Sequence, residues 1–198
     1  MVMVVFKSPV QTDSFRLDVD LFNKWKAANT DGFGFVYDGI IRRSRYVNEK
    51  LFLKLRPPDY QRYMMLHLRR QSLPKDGEHP FIAGHVIMMH NGFIQNYKEI
   101  SRKYHYELKT GIDSEAMVPL ALQAGERIEP FFRLVSKEAG GSKINVIAVN
   151  TMTGEYGMLA SGDAFLTRED GKTILASEPL NNQSTEIKEG NVFIGKAY

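Results

Sequence analysis

The segment HNGFIQNY, His90 to Tyr97, holds the residue types of this chain best suited to chemistry. Asn91 and Gly92 stand between an apolar strand and a helix start, where a side-chain amide and a backbone N–H can converge on one oxygen. Donors fixed around a developing oxyanion, in a site poor in water, are often the largest single term in acyl-transfer catalysis. Gly92 has no Cβ, so a ligand can come close to the backbone there. Asn-Gly is also a strong turn signal, so the triplet gains its meaning from its surroundings.

Three further segments accompany it in order along the chain. NTDGFGF spans Asn29 to Phe35, HLRRQS spans His67 to Ser72, and TGIDSE spans Thr110 to Glu115, with HPF at His79 to Phe81 leading into the Asn-Gly segment. Together these resemble the glutaminase domain of class II glutamine amidotransferases, a branch of the N-terminal nucleophile hydrolases. The landmarks of that family are an Asn-x-Asp-Gly-x-Gly segment, a His-x-Arg strand end, His-Asn-Gly and a Thr-x-Ser-Asp-Thr-Glu run. The likeness is strong from Asn29 to Glu115 and rests on general pattern beyond it.

What the resemblance implies about activity turns on position 2. The family's nucleophile is a cysteine following the initiator Met, and here Val2 stands there in a chain with no cysteine. In such enzymes the thiol attacks the amide carbonyl while the residue's own α-amine, with a reference pKa of roughly 7.7 to 8.0, serves as base. Valine keeps the amine and loses the nucleophile, so glutamine hydrolysis by the family route is not expected. Three readings compete: a natural pseudoenzyme, an enzyme altered at its nucleophile, or a nucleophile exposed by trimming to Ser8, Thr12 or Ser14. Trimming would delete the apolar run Val2 to Phe6.

Glutamine presents an α-carboxylate and an α-ammonium. By the family pattern Arg69 grips the carboxylate, where a planar guanidinium can pair bidentately, and Asp113 receives the ammonium. The plainer alternatives are a surface ion pair for Arg69 or Arg70 and a helix N-cap for Asp113, with Glu115 an ordinary first-turn acid. Asn29 to Gly34 reads as a tight turn into a strand, with a contact from Asn29 or Asp31 to the N-terminal amine left open. His67 and His90 end apolar strands, where a hydrogen-bonded core histidine is the usual state. The five histidines have no metal-ligand spacing with carboxylates, so neither metal nor cofactor is expected. Ser72, Ser114 and Ser177 have no base partner recognisable from sequence. Arg70, Gln71, Ser72 and Ile112 depart from the family pattern and leave the ligand open between glutamine, another small amide or amino acid, and none.

Composition sets the bounds for all of this. A chain of 198 residues with 43% apolar and 25% charged residues fits a single globular domain over 1–198, able to bury roughly 70% of its unfolded surface. No run reaches the length of a membrane span and MVMVVF is too short for a secretory leader, so a cytoplasmic protein is expected. The formal charge of +3 is mild. The basic run Arg42, Arg43, Arg45, Lys50, Lys54 and Arg56 has no nucleic-acid motif beside it, and reads as a solvated hairpin and helix face rather than a nucleic-acid site. The family's domains pass ammonia to a synthetase or transferase, which implies a protein partner. The alternative function is a non-catalytic binding or regulatory protein that uses the fold to recognise a macromolecule.

The elements that must position these residues follow from periodicity. Val2 to Phe6 is a strand, Asp18 to Ala28 an amphipathic helix capped by Asp18 or Asp20, and FGFVY and IIRRSRY a hairpin around Asp38-Gly39. A helix follows from Asn48 to Leu55, then buried strands over Tyr63 to Arg69 and His85 to His90 with a loop around Pro74 and Gly77. Helical patterns cover Asn96 to Tyr104, Ser114 to Ala124 and Glu126 to Ala139, although Pro119 and Pro130 question their continuity. KINVIAVN, EYGMLAS, AFLTR, KTILAS and NVFIG close the chain as mostly antiparallel strands. The pattern predicts an α+β domain, and the resemblance implies a four-layer αββα sandwich.

Overall fold

The computed structural model describes residues 2–7, 19–37, 40–44, 63–70, 79–169 and 171–196. Twelve strands in these segments form two sheets. In chain order they are β1 (Val2–Lys7), β2 (Gly32–Tyr37), β3 (Ile40–Ser44), β4 (Tyr63–Arg69), β5 (Phe81–Ala83), β6 (Val86–Gly92), β7 (Ile144–Asn150), β8 (Glu155–Ala160), β9 (Phe165–Glu169), β10 (Lys172–Ala176), β11 (Thr185–Glu186) and β12 (Val192–Lys196). The first sheet has the order β11-β9-β10-β1-β4-β2-β3, and the second β12-β8-β7-β6-β5. The helices are α1 (Val19–Ala28), α2 (Tyr97–Lys103), α3 (Met117–Gln123) and α4 (Ile128–Glu138), with a 3-10 turn over Asp113–Ala116.

Three apolar clusters stack these parts into four layers. Phe22 and Trp25 of α1 pack on Phe33, Phe35, Met64, Leu66 and Leu68 of the first sheet. The alternate residues of the same strands, Val36, Tyr63 and Met65, face inward onto Ile87, Met89, Ile147, Val149 and Met158 of the second sheet. The far face of that sheet, with Val86, Met88, Val146 and Ala148, is covered by α2, α3 and α4. The period of two that divides each strand between clusters is the pleat itself. In α4 the buried residues Ile128, Phe131, Phe132 and Val135 fall at i, i+3, i+4 and i+7, the stripe of a helix seated on one face. Each buried phenylalanine there contributes roughly 1.5–3 kcal/mol. The αββα sandwich is therefore observed.

The apolar β1 lies between β10 and β4, inside its sheet, and β7 is buried at every position, as unbroken apolar runs require. The basic β3 is an edge strand whose Arg42 and Arg43 are exposed. The hairpin expectation holds in register, with Tyr37 opposite Ile40, while Asp38 and Gly39 lie outside the described residues. So do the expected helix Asn48 to Leu55, the loop around Pro74 and Gly77, Ser72, the cap candidate Asp18, and Arg45, Lys50, Lys54 and Arg56. Asp20 lies within α1 rather than before it.

The expected helix from Ser114 to Ala124 is divided. A 3-10 turn carries Asp113 to Ala116, and α3 begins at Met117. Pro119 is then the third residue of α3 and Pro130 the third of α4, positions whose N–H has no acceptor within the helix. The prolines locate helix starts and break nothing. Two strands escaped the sequence reading, β5 and β11, because three and two residues are too few to display alternation.

Candidate functional site

Strand ends from both sheets meet around a cavity of about 480 Å³. β4 brings His67 and Arg69, and β6 brings His90, Asn91 and Gly92. The 3-10 turn brings Asp113 and Ser114, the end of α1 brings Asn29, and the segment before β5 brings His79. Val2, at the start of β1, stands opposite His67 in the strand register. Arg69, Asn91, Gly92 and Asp113, singled out from sequence, thus line one cavity beside the strand that Val2 begins.

Glycines make the junction possible, though for reasons other than those read from the sequence. Gly34 lies within β2, opposite His67, and a Cβ there would stand 2.1 Å from the His79 carbonyl oxygen. Its bareness lets the His79-Pro80 segment, joined by a cis peptide bond, lie directly on the strand. Arg43 fastens the same segment by donating to the Pro80 carbonyl at 2.6 Å. Gly92 has φ of 111°, and a Cβ there would meet the Lys143 carbonyl oxygen at 2.2 Å. The neighbouring backbone fills the space that the sequence reading reserved for a ligand. Asn91 and Gly92 are also strand residues, paired with Asn145 and Ile144, and form no turn.

His67, His79 and His90 are all buried and pack with tilted rings in the floor of the cavity. The His67 and His79 ring centroids are 4.1 Å apart, those of His79 and His90 5.6 Å. His67 Nε2 lies 3.1 Å from the His90 carbonyl oxygen, to which it donates in the tautomer that carries the proton there. Neither ring nitrogen of His79 has a hydrogen-bond partner among the described residues. Burial, first of all, holds the pKa of each ring below the usual histidine value. For His79 the positive charge that His67 would carry is the next cause; for His90 the Asp113 carboxylate opposes the effect. The floor of the cavity is uncharged imidazole at neutral pH.

Asp113 does not cap a helix. Its Oδ2 accepts the Ile94 amide at 2.6 Å and lies 3.6 Å from His90 Nε2. The other ring nitrogen of His90, Nδ1, is 2.7 Å from Ser114 Oγ. Ser114 therefore has an imidazole partner, which corrects the sequence expectation of none. Asn91 reaches across to the first sheet, where its Nδ2 donates to Ser177 Oγ at 2.9 Å. Ser177 directly follows Ala176, the partner of Met3 in β1, so this contact sits beside the chain start. Glu115 is no ordinary first-turn acid: it is buried and accepts the Lys109 and Thr110 amides, the Thr110 hydroxyl and the Tyr106 hydroxyl. It anchors the loop that presents Asp113.

Solved structures share this architecture. The glutamine phosphoribosylpyrophosphate amidotransferase from B. subtilis, complexed with ADP and GMP, superposes with a TM-score of 0.76 at 12% identity over 98% of this chain and 47% of its own. A glutamine aminotransferase class-II domain protein from Silicibacter pomeroyi gives 0.66 at 15% identity, covering 100% and 95%. A predicted glutamine amidotransferase from Pseudomonas aeruginosa gives 0.52 at 13% identity, covering 99% and 93%. The fold is that of a class II glutamine amidotransferase domain. The chain spans about half the length of the B. subtilis enzyme and nearly all of the latter two. Neither a family model nor a curated protein sequence matches it.

Within this class II fold, the residues missed from sequence are His79, which served only as a landmark, and the Ser114 and Ser177 hydroxyls. Their partners come from strands and turns far away in the chain, at separations of 24 residues for Ser114 and 86 for Ser177. A pairing at such separations leaves no periodic trace. Among the described residues no group of histidines and carboxylates has the geometry to hold a metal, and no helix is long and apolar enough to cross a membrane.

Proposed function

We propose that this domain binds glutamine or a related small amino-acid amide in the cavity, with the family's cysteine route to hydrolysis closed. The observation that carries this reading is the convergence of Arg69, Asp113, Asn91 and Gly92 on one cavity beside the start of β1. Arg69 supplies a guanidinium for the α-carboxylate. Asp113 supplies a carboxylate for the α-ammonium through Oδ1, since Oδ2 is held by the Ile94 amide. Asn91 and Gly92 line the same cavity, and this reading assigns them to the side-chain carbonyl oxygen. The uncharged histidine floor accepts an amide without competing for the carboxylate. Val2 offers no atom able to attack that carbonyl.

Calorimetric titration with glutamine tests the pocket. Saturable binding is expected, and its absence in folded protein would overturn the reading. The closed route is tested by Val2→Cys with Met1 removed, assayed for ammonia released from glutamine. Release by this variant, against none through a thiol in the parent, is expected if position 2 is the nucleophile position of the fold.

A further inference from the structure

The geometry points to a second nucleophile in the same cavity: Ser114, activated by His90 and oriented through Asp113, as the attacking hydroxyl toward a small carboxamide or ester. The inference takes its substrate class from the pocket reading above, but its nucleophile stands on separate contacts.

One of those contacts is a hydrogen bond and the other a longer charge contact. Ser114 Oγ is 2.7 Å from His90 Nδ1, and His90 Nε2 is 3.6 Å from Asp113 Oδ2. A carboxylate facing Nε2 favours the tautomer with its proton there, which leaves the Nδ1 lone pair to accept the serine proton. This is the division of labour in a Ser-His-Asp triad, which is recognised by geometry and not by order in the chain. The Asp113 spacing is longer than a hydrogen bond, as catalytic contacts commonly are before substrate binds. Burial keeps His90 from being protonated in advance, so it is available as a base. All three residues line the cavity that Arg69, Asn91 and Gly92 also line.

The step is a simple acyl transfer. Ser114 Oγ forms a bond to the carbonyl carbon while its proton passes to His90 Nδ1. The C–N or C–O bond breaks, and the departing amine or alcohol takes that proton. Water then attacks the acyl-serine, giving its proton to His90 and returning the serine hydroxyl with release of the acid.

The test treats the intact chain with an alkyl fluorophosphonate and maps the modified residue by peptide mass spectrometry. Stoichiometric modification of Ser114 is expected, lost in Ser114→Ala and slowed by roughly 10²-fold or more in His90→Gln. Asp113→Asn should slow it as well, because the carboxamide no longer selects the tautomer. Circular dichroism of each variant separates loss of the base from loss of the fold. No modification of the folded parent chain, or modification of a different serine, would overturn the inference. Glutamine titration keeps the two readings apart: labelling at Ser114 without glutamine binding supports the nucleophile and sinks the pocket reading. Glutamine binding without labelling does the reverse.

Discussion

The imidazoles of His67 and His79 pack against one another with their centroids 4.1 Å apart, both buried in the floor of the cavity. Two cations cannot share that geometry, and the depressed pKa values of His67, His79 and His90 follow from burial first. In the unfolded chain each titrates near 6.5. Below that value the unfolded state binds protons that the folded state refuses, so stability is full above about pH 6.5 and falls as pH drops. Each histidine contributes up to about 1.4 kcal/mol per pH unit. Urea midpoints at pH 7.5 and 5.5 check this, and a midpoint unchanged between them would contradict it. His79→Phe should flatten the slope.

Gly92 cannot carry a side chain. At φ of 111° and with the Lys143 carbonyl oxygen 2.2 Å from a built Cβ, Gly92→Ala must either bend β6 or part it from β7. The expected cost is about 2–4 kcal/mol, read from chemical denaturation. Ligand binding should fall with it, because Asn91 moves with the strand.

Glu115 is expected to be sensitive to a change of a single atom. Its two oxygens accept four donors from Tyr106, Lys109 and Thr110. Glu115→Gln turns one acceptor into a donor facing donors, at a cost of about 1–3 kcal/mol. The loop holding Asp113 should then loosen, with faster hydrogen exchange over residues 109–115 as the measurement.

Arg69→Ala and Asp113→Asn separate ligand roles from structural ones. A hydrogen bond to a charged group contributes about 1.5–3 kcal/mol, so each change should weaken glutamine binding roughly tenfold to a hundredfold in calorimetry. Thermal stability should change little for Asp113→Asn, since a carboxamide oxygen still accepts the Ile94 amide. Unaltered affinity in both variants would remove the amino-acid pocket.

Much of this protein is written in local pattern. The apolar run over Tyr63 to Arg69 predicted a buried strand, and the unbroken apolar run at Val2 to Phe6 a strand covered on both faces. The resemblance of the His-x-Arg, His-Asn-Gly and Asp-Ser-Glu segments to the amidotransferase family implied one site for Arg69, Asn91, Gly92 and Asp113. Periodicity carries the strands and helices because each repeats its own geometry in its own sequence.

What only the tertiary structure decided lies between elements. Gly34 is bare because His79 comes from 45 residues further along the chain to lie on it, and Gly92 is bare because β7 presses against it. Ser114 meets His90, and Asn91 meets Ser177, through contacts whose partners share no element. Such pairings depend on how two sheets and a helical layer are placed in space. Residue spacing along one strand cannot encode them, because the distance that matters is measured across the fold and not along the chain.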